Sequence, residues 1–189
     1  GLADYVVRNR RGPVGGLPNR IPELFALEPS EVQNQLIDVG EGVMLDLAAT
    51  LDDPRERNIT LGRLLRALWG APRALIDILK PLSPELVNHL VPYVHDVISA
   101  PLDHEGLPTG DARLRWLVKH LKAEAGNKVL IFVETDIAVR ALKDSLSAIF
   151  GEHIAVFHKG LSPRDQDRQV AWFRDEDGPQ IMLSTEAGG

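Results

Sequence analysis

"KVLIFVETDIAVRALKDSLSAIFGEHIAVFHKGLSPRDQDRQVAWFRDEDGPQIMLSTEAGG", residues 128–189, switches repeatedly between two hydrophobic periods. Three short apolar runs, "KVLIFV", "HIAVF" and "QIMLS", are rich in β-formers and read as strands. Between the first two, "DIAVRALKDSLSAIF" sets Ala138, Leu142, Leu146 and Ile149 on one side of a helix. Between the last two, "SPRDQDRQVAWF" opens with Ser162 as cap and Pro163 in the first turn, and it turns Val170 and Phe173 inward. The order is β-α-β-α-β. Such an order predicts parallel strands, right-handed crossovers and helices on the sheet faces, with ligand chemistry at the strands' carboxyl ends.

Those ends carry three small groups: Glu134, Thr135 and Asp136; His158, Lys159 and Gly160; and Ser184, Thr185 and Glu186 with Gly188 and Gly189. They are expected along one edge. Hydroxyls, open N–H groups at helix starts and glycines that allow close backbone approach suit a phosphate-bearing ligand. Helix capping, which every α/β protein needs, explains Thr135, Asp136 and Ser162 equally well.

Upstream, "DARLRWLVKHLKAEAG" predicts a helix with Leu114, Leu117, Val118 and Leu121 on one face, Asp111 near its start and Gly126 closing it. Before Gly110 the character changes. "PSEVQNQLIDVGEGVMLDLAATL", "ITLGRLLRALWGAPRALIDIL" and "SPELVNHLVPYVHDVISA" repeat apolar residues at three- and four-residue steps, with Ser83 and Pro84 as a helix start. The expected organisation is a linker over 1–28, an all-helical unit over 29–108 and an α/β unit over 109–189. The linker is rich in glycine and proline and holds the one basic cluster, Arg8, Arg10, Arg11 and Arg20.

Composition narrows the function. With 189 residues, 44% hydrophobic and 25% charged, the chain is in the globular range and can bury one large core or two small ones. A formal charge of −6 argues against coating nucleic acid through bulk electrostatics, but it leaves room for a local phosphate-contacting cleft. There is no cysteine, and the six histidines fall at no metal-binding spacing, so no metal site is expected. The apolar runs are too short to cross a membrane, and the amino terminus lacks a signal-peptide pattern. The expectation is a cytoplasmic chain with no membrane partner.

Taken together, "KVLIFVET", "VFHKGLSPRDQDRQVAWFR" and "QIMLSTEAGG" resemble, in order and separation, motifs IV, IVa and V of the second RecA-like lobe of superfamily 2 helicases, in particular the Swi/Snf-type translocases. "VVRNRRGPVGGLPNRIPELFALEPSEVQ" is similar to the segment that links the two lobes in that family, and "LGRLLRALWGAPRALIDIL" to one of its helical segments. The resemblance leans toward bacterial and archaeal members, among them an RNA-polymerase-associated ATPase. It implies a truncated parallel RecA-like sheet preceded by an all-helical subdomain. It also implies that Thr135, His158, Gly160, Arg168, Ser184 and Thr185 line a groove gripping one strand's sugar-phosphate backbone, with Gly188 and Gly189 beside the ATP site. Arg168 reads equally well as a salt-bridged helix arginine. The implied whole is an ATP- and Mg2+-dependent translocase on double-stranded DNA or nucleoprotein, working with a first RecA-like lobe, in the prokaryotic nucleoid and with RNA polymerase as a candidate partner.

The hydrolytic parts are missing from this sequence. It contains no G-x-x-x-x-G-K-[ST] loop, and "DEDG" at 175–178 follows a helix, where it reads as a solvated turn. Phosphoryl transfer needs the phosphate loop, the metal and usually an arginine finger together. The chain alone is therefore expected to bind no cofactor, to hold no catalytic residue and to be inactive. The rival reading is a non-catalytic α/β module that binds a protein partner.

Overall fold

The computed structural model describes residues 23–185. The basic cluster Arg8, Arg10, Arg11 and Arg20 and the pair Gly188 and Gly189 lie outside them. Four helices come first: α1 (Glu31–Thr50), α2 (Pro54–Gly70), α3 (Pro72–Leu79) and α4 (Pro84–Ser99). Local chemistry sets their starts. Ser30, Asp53 and Ser83 each accept a backbone N–H of the first turn, and prolines stand in the first turns of α2, α3 and α4, where a missing N–H costs nothing. Leu36, Ile37, Val43 and Leu47 of α1 meet Leu64 and Leu68 of α2, Leu75 and Leu79 of α3, and Leu90 and Val94 of α4 in one buried cluster. Gly40 lets α1 approach α2 closely, because a Cβ there would lie 2.8 Å from Leu68 Cδ1.

After α5 (Ala112–Ala123), strands and helices alternate: β1 (Val129–Val133), α6 (Asp136–Phe150), β2 (Ile154–Phe157), α7 (Pro163–Arg174) and β3 (Ile181–Thr185). The three strands are parallel in the order β1-β3-β2, so the last strand is the central one. Val129 pairs with Ile181 and Val133 with Thr185, while Ile154 pairs with Ile181 and Phe157 with Ser184. One face, carrying Ile154, Ile181 and Leu183, packs on Val118 and Leu121 of α5 and on Val139 and Leu146 of α6 to make a second core.

The opposite face is only partly covered. Ala155 and Met182 are buried there, but Leu130 and Phe132 of β1 are 46% and 54% exposed. Val170 and Phe173, expected to turn inward, are only half-buried, and α7 has no fully buried residue. The cause is geometric: α7 packs along the edge strand β2, beyond which no further strand lies among the described residues. α7 also blunts that edge, since the Gln169 side chain accepts the Val156 N–H at 2.9 Å.

The joint between the two cores is polar and specific. Ser30 Oγ donates to the Gly110 carbonyl at 2.6 Å. Gln33, 3% exposed, accepts the Ala112 N–H through Oε1 at 3.1 Å and reaches Asp111 Oδ1 through Nε2 at 3.4 Å. Asp111 itself caps α5.

Just before the joint, Asp103 organises a tight loop. Its Oδ1 accepts the N–H groups of Glu105 and Leu107, both at 2.9 Å, and its Oδ2 lies 2.6 Å from Arg115. The Leu107 N–H bond, with Arg115 and the Glu105 N–H, outweighs desolvation and lowers the carboxyl pKa from 3.8 to about 2. A depressed carboxylate stabilises the fold above its unfolded pKa and loses that effect as the pH falls toward its folded value. Asp103→Asn should therefore lower the melting temperature at pH 7. The gap to the unsubstituted chain should shrink between about pH 4 and pH 2, as read by thermal melts across that range.

Candidate nucleic-acid interface

Because the strands are parallel, Thr135, His158 and Thr185 all emerge at the same edge of the sheet. Each is held differently. Thr135 is the N-cap of α6, and its Oγ1 accepts the Ala138 N–H at 3.1 Å. Capping uses a lone pair, so the hydroxyl hydrogen is still available to donate.

His158 sits in a turn after β2, its side chain 13% exposed. Nδ1 accepts the Gly160 N–H at 3.1 Å, and Asp136 Oδ2, from the first turn of α6, lies 3.5 Å from the same nitrogen. Gly160 is needed for this closeness, as a Cβ there would stand 3.0 Å from the imidazole ring. Gln166 of α7 fastens the turn by donating to the carbonyls of His158 and Leu161 at 3.0 and 3.4 Å.

Ser184 and Thr185 are the last two residues of β3 itself, 3% and 4% exposed. β3 is paired on both sides as far as Ser184, and β1 carries the ladder on to Thr185, which holds both residues in the buried strand. Ser184 Oγ donates to the Thr185 carbonyl at 3.1 Å. Thr185 Oγ1 is buried without a hydrogen-bond partner, an unusual condition for a hydroxyl inside a protein.

Arg168 lies on the outer surface of α7, its side chain 73% exposed and 3.0 Å from Asp165 one turn earlier. The edge therefore gathers Thr135, Asp136, His158, Gly160, Ser184 and Thr185, while Arg168 stands apart in a helix-surface ion pair. Two contributors were missed in the sequence. Gln166 and Gln169 hold the β2 edge and its turn, and their spacing of three on one helix face is the signal that could have found them.

A cavity of about 790 Å³ lies elsewhere. It is an apolar groove between the helical unit and α5, α6 and β1, lined by Leu24, Phe25, Trp116, Ile131, Val133 and Leu142 among others. None of the edge residues borders it. No group of three or more His, Cys, Asp or Glu among the described residues is placed to hold a metal ion. No helix among them is long and apolar enough to cross a membrane.

The parallel sheet with a polar carboxyl edge is consistent with a truncated RecA-like α/β unit, and comparison with known families points the same way. Residues 112–189 match the helicase conserved C-terminal domain. Among its relatives is the RNA polymerase-associated protein RapA of Erwinia tasmaniensis, 38% identical over 79 residues. The protein of the same name from Cronobacter sakazakii is 37% identical over 79 residues. In both cases the match covers 41% of this chain and 8% of the relative, so the chain spans a small part of the length of those proteins.

Proposed function

We propose that this chain contributes the second RecA-like lobe and a helical unit to an ATP-dependent translocase of the Swi/Snf type, acting on double-stranded DNA or nucleoprotein in the bacterial cytoplasm. Its carboxyl edge would grip the phosphate backbone of one strand through Thr135, His158, Gly160, Ser184 and Thr185, with Arg168 at its margin. Gly188 and Gly189 would continue toward an ATP site shared with a first lobe. ATP and Mg2+ would be bound by the whole enzyme. The names of the relatives support RNA polymerase, free or on DNA, as the neighbouring machine, and a place at the nucleoid follows from that.

The observation that carries the reading is the orphaned hydroxyl of Thr185 at the end of the central strand. A buried, unpaired donor is a cost to folding unless a ligand takes it up. Contacts to phosphate, which ignore base identity, are also what movement over any sequence requires.

The test is DNA-stimulated ATP hydrolysis and duplex binding by the gene product that contains this chain, with and without Thr185→Val. The substitution keeps the shape and removes the unpaired hydroxyl, so the melting temperature should hold or rise. Binding should weaken about tenfold, since a hydrogen bond to a charged group contributes about 1.5 kcal/mol. A gene product inert with every nucleic acid would instead favour the protein-binding module, whose docking surface would be the apolar groove.

A further inference from the structure

Arg66, on α2 of the helical unit, reaches across to Glu134, the residue directly after β1. Its Nε is 2.8 Å from Glu134 Oε1. Glu134 is bonded to Thr135, so this guanidinium stands beside the carboxyl edge although it belongs to another core.

The two side chains are 51% and 59% exposed, and an ion pair so open to water contributes little to stability. It is easily exchanged for another. One carboxylate oxygen on Nε also leaves the Nη hydrogens as donors for a second acceptor. A planar guanidinium fits two phosphate oxygens at once.

Among the described residues the edge carries a lysine, Lys159, in the turn after β2. It also carries two carboxylates, Glu134 and Asp136, that would repel a phosphate. Arg168 is engaged by Asp165 at 3.0 Å. Glu134 is met by Arg66 at 2.8 Å, while Asp136 lies 3.5 Å from His158 Nδ1.

We propose that Arg66 is a further phosphate contact of the nucleic-acid interface, held by Glu134 when the edge is empty and handed to a backbone phosphate when nucleic acid binds. The inference rests on the translocase reading above and deepens it, because it gives the helical unit a share in the grip.

The experiment measures binding of a fluorescent DNA duplex to the intact gene product as a function of KCl concentration. Four variants are compared: Arg66→Ala, Glu134→Gln, Thr185→Val and, as a control of equal charge change, Arg55→Ala at the far end of α2. Arg66→Ala should weaken binding about fivefold and lower the slope of log affinity against log salt by about 1, the loss of one neutralised phosphate. Glu134→Gln should tighten binding about threefold by removing the competing carboxylate. Arg55→Ala should leave the slope unchanged.

If Arg66→Ala keeps the full slope, or Glu134→Gln weakens binding as much as Arg66→Ala does, the pair is only a strut and the inference falls. In that case a defect in Thr185→Val leaves the translocase reading standing. Absence of any salt-dependent binding by the unsubstituted protein removes both.

Discussion

Gly110→Ala should destabilise the chain by about 3 kcal/mol, at the upper end of the cost of forcing a methyl into a packed site. The corresponding fall in melting temperature is roughly 6–12 °C for a chain of this size. Gly110 is buried at the joint between the cores, and a Cβ there would overlap the carbonyl oxygen of Val97 and stand 2.8 Å from Ala100 Cβ. A backbone carbonyl at the end of α4 cannot swing aside as a side-chain tip can. The methyl would therefore push the joint apart and strain the Ser30 hydroxyl bond to the Gly110 carbonyl. The matched control is Gly42→Ala on the exposed face of α1, where nothing lies within 4 Å of the added Cβ. That change should stabilise by about 0.5–1 kcal/mol, because alanine is the better helix former. Equal melting temperatures for the two variants would show that the joint is loose.

Leu183→Ala should cost about 2–5 kcal/mol, the range for emptying a fully buried leucine site. Leu183 is 0% exposed and lies at the middle of β3, opposite Ile131 on one side and Val156 on the other. The space it leaves is bounded by strands on both flanks and packed helices, so it cannot collapse easily. Chemical denaturation followed by circular dichroism reads the change. A loss below about 1 kcal/mol would mean that the sheet relaxes around the site.

Much of this architecture was legible in the amino-acid order, because it rests on local chemistry. Ser83 with Pro84, Ser162 with Pro163 and Asp111 mark helix starts through bonds spanning two or three residues, and each forms as read. The runs at 129–133, 154–157 and 181–185 announce strands by composition, and the intervening helices make them parallel. Which strands are neighbours was not legible. A β-α-β-α-β order is compatible with more than one arrangement, and only tertiary packing puts β3 between the other two.

The candidate site divides in the same way. Thr135, His158 and Thr185 follow from reading strand ends, whereas Arg66 lies 68 residues from Glu134 and leaves no local trace. One long-range contact did leave a sign. Gln33 occupies a core position on the α1 stripe with Leu36, Ile37 and Gly40, and an amide there calls for a partner, which proves to be the start of α5.

The central position of β3 also dictates the order in which a ribosome can build the molecule. The first helices find their partners within a few tens of residues and can pack as they emerge. β1 and β2 have no ladder to join until residues 181–185 appear, because among the described residues each pairs only with β3. Val129 must wait for Ile181, and such distant closures are the slow ones. During that wait the apolar strands stay unpaired on the growing chain. Unpaired apolar strands of that kind are the exposed edges on which partly folded chains aggregate.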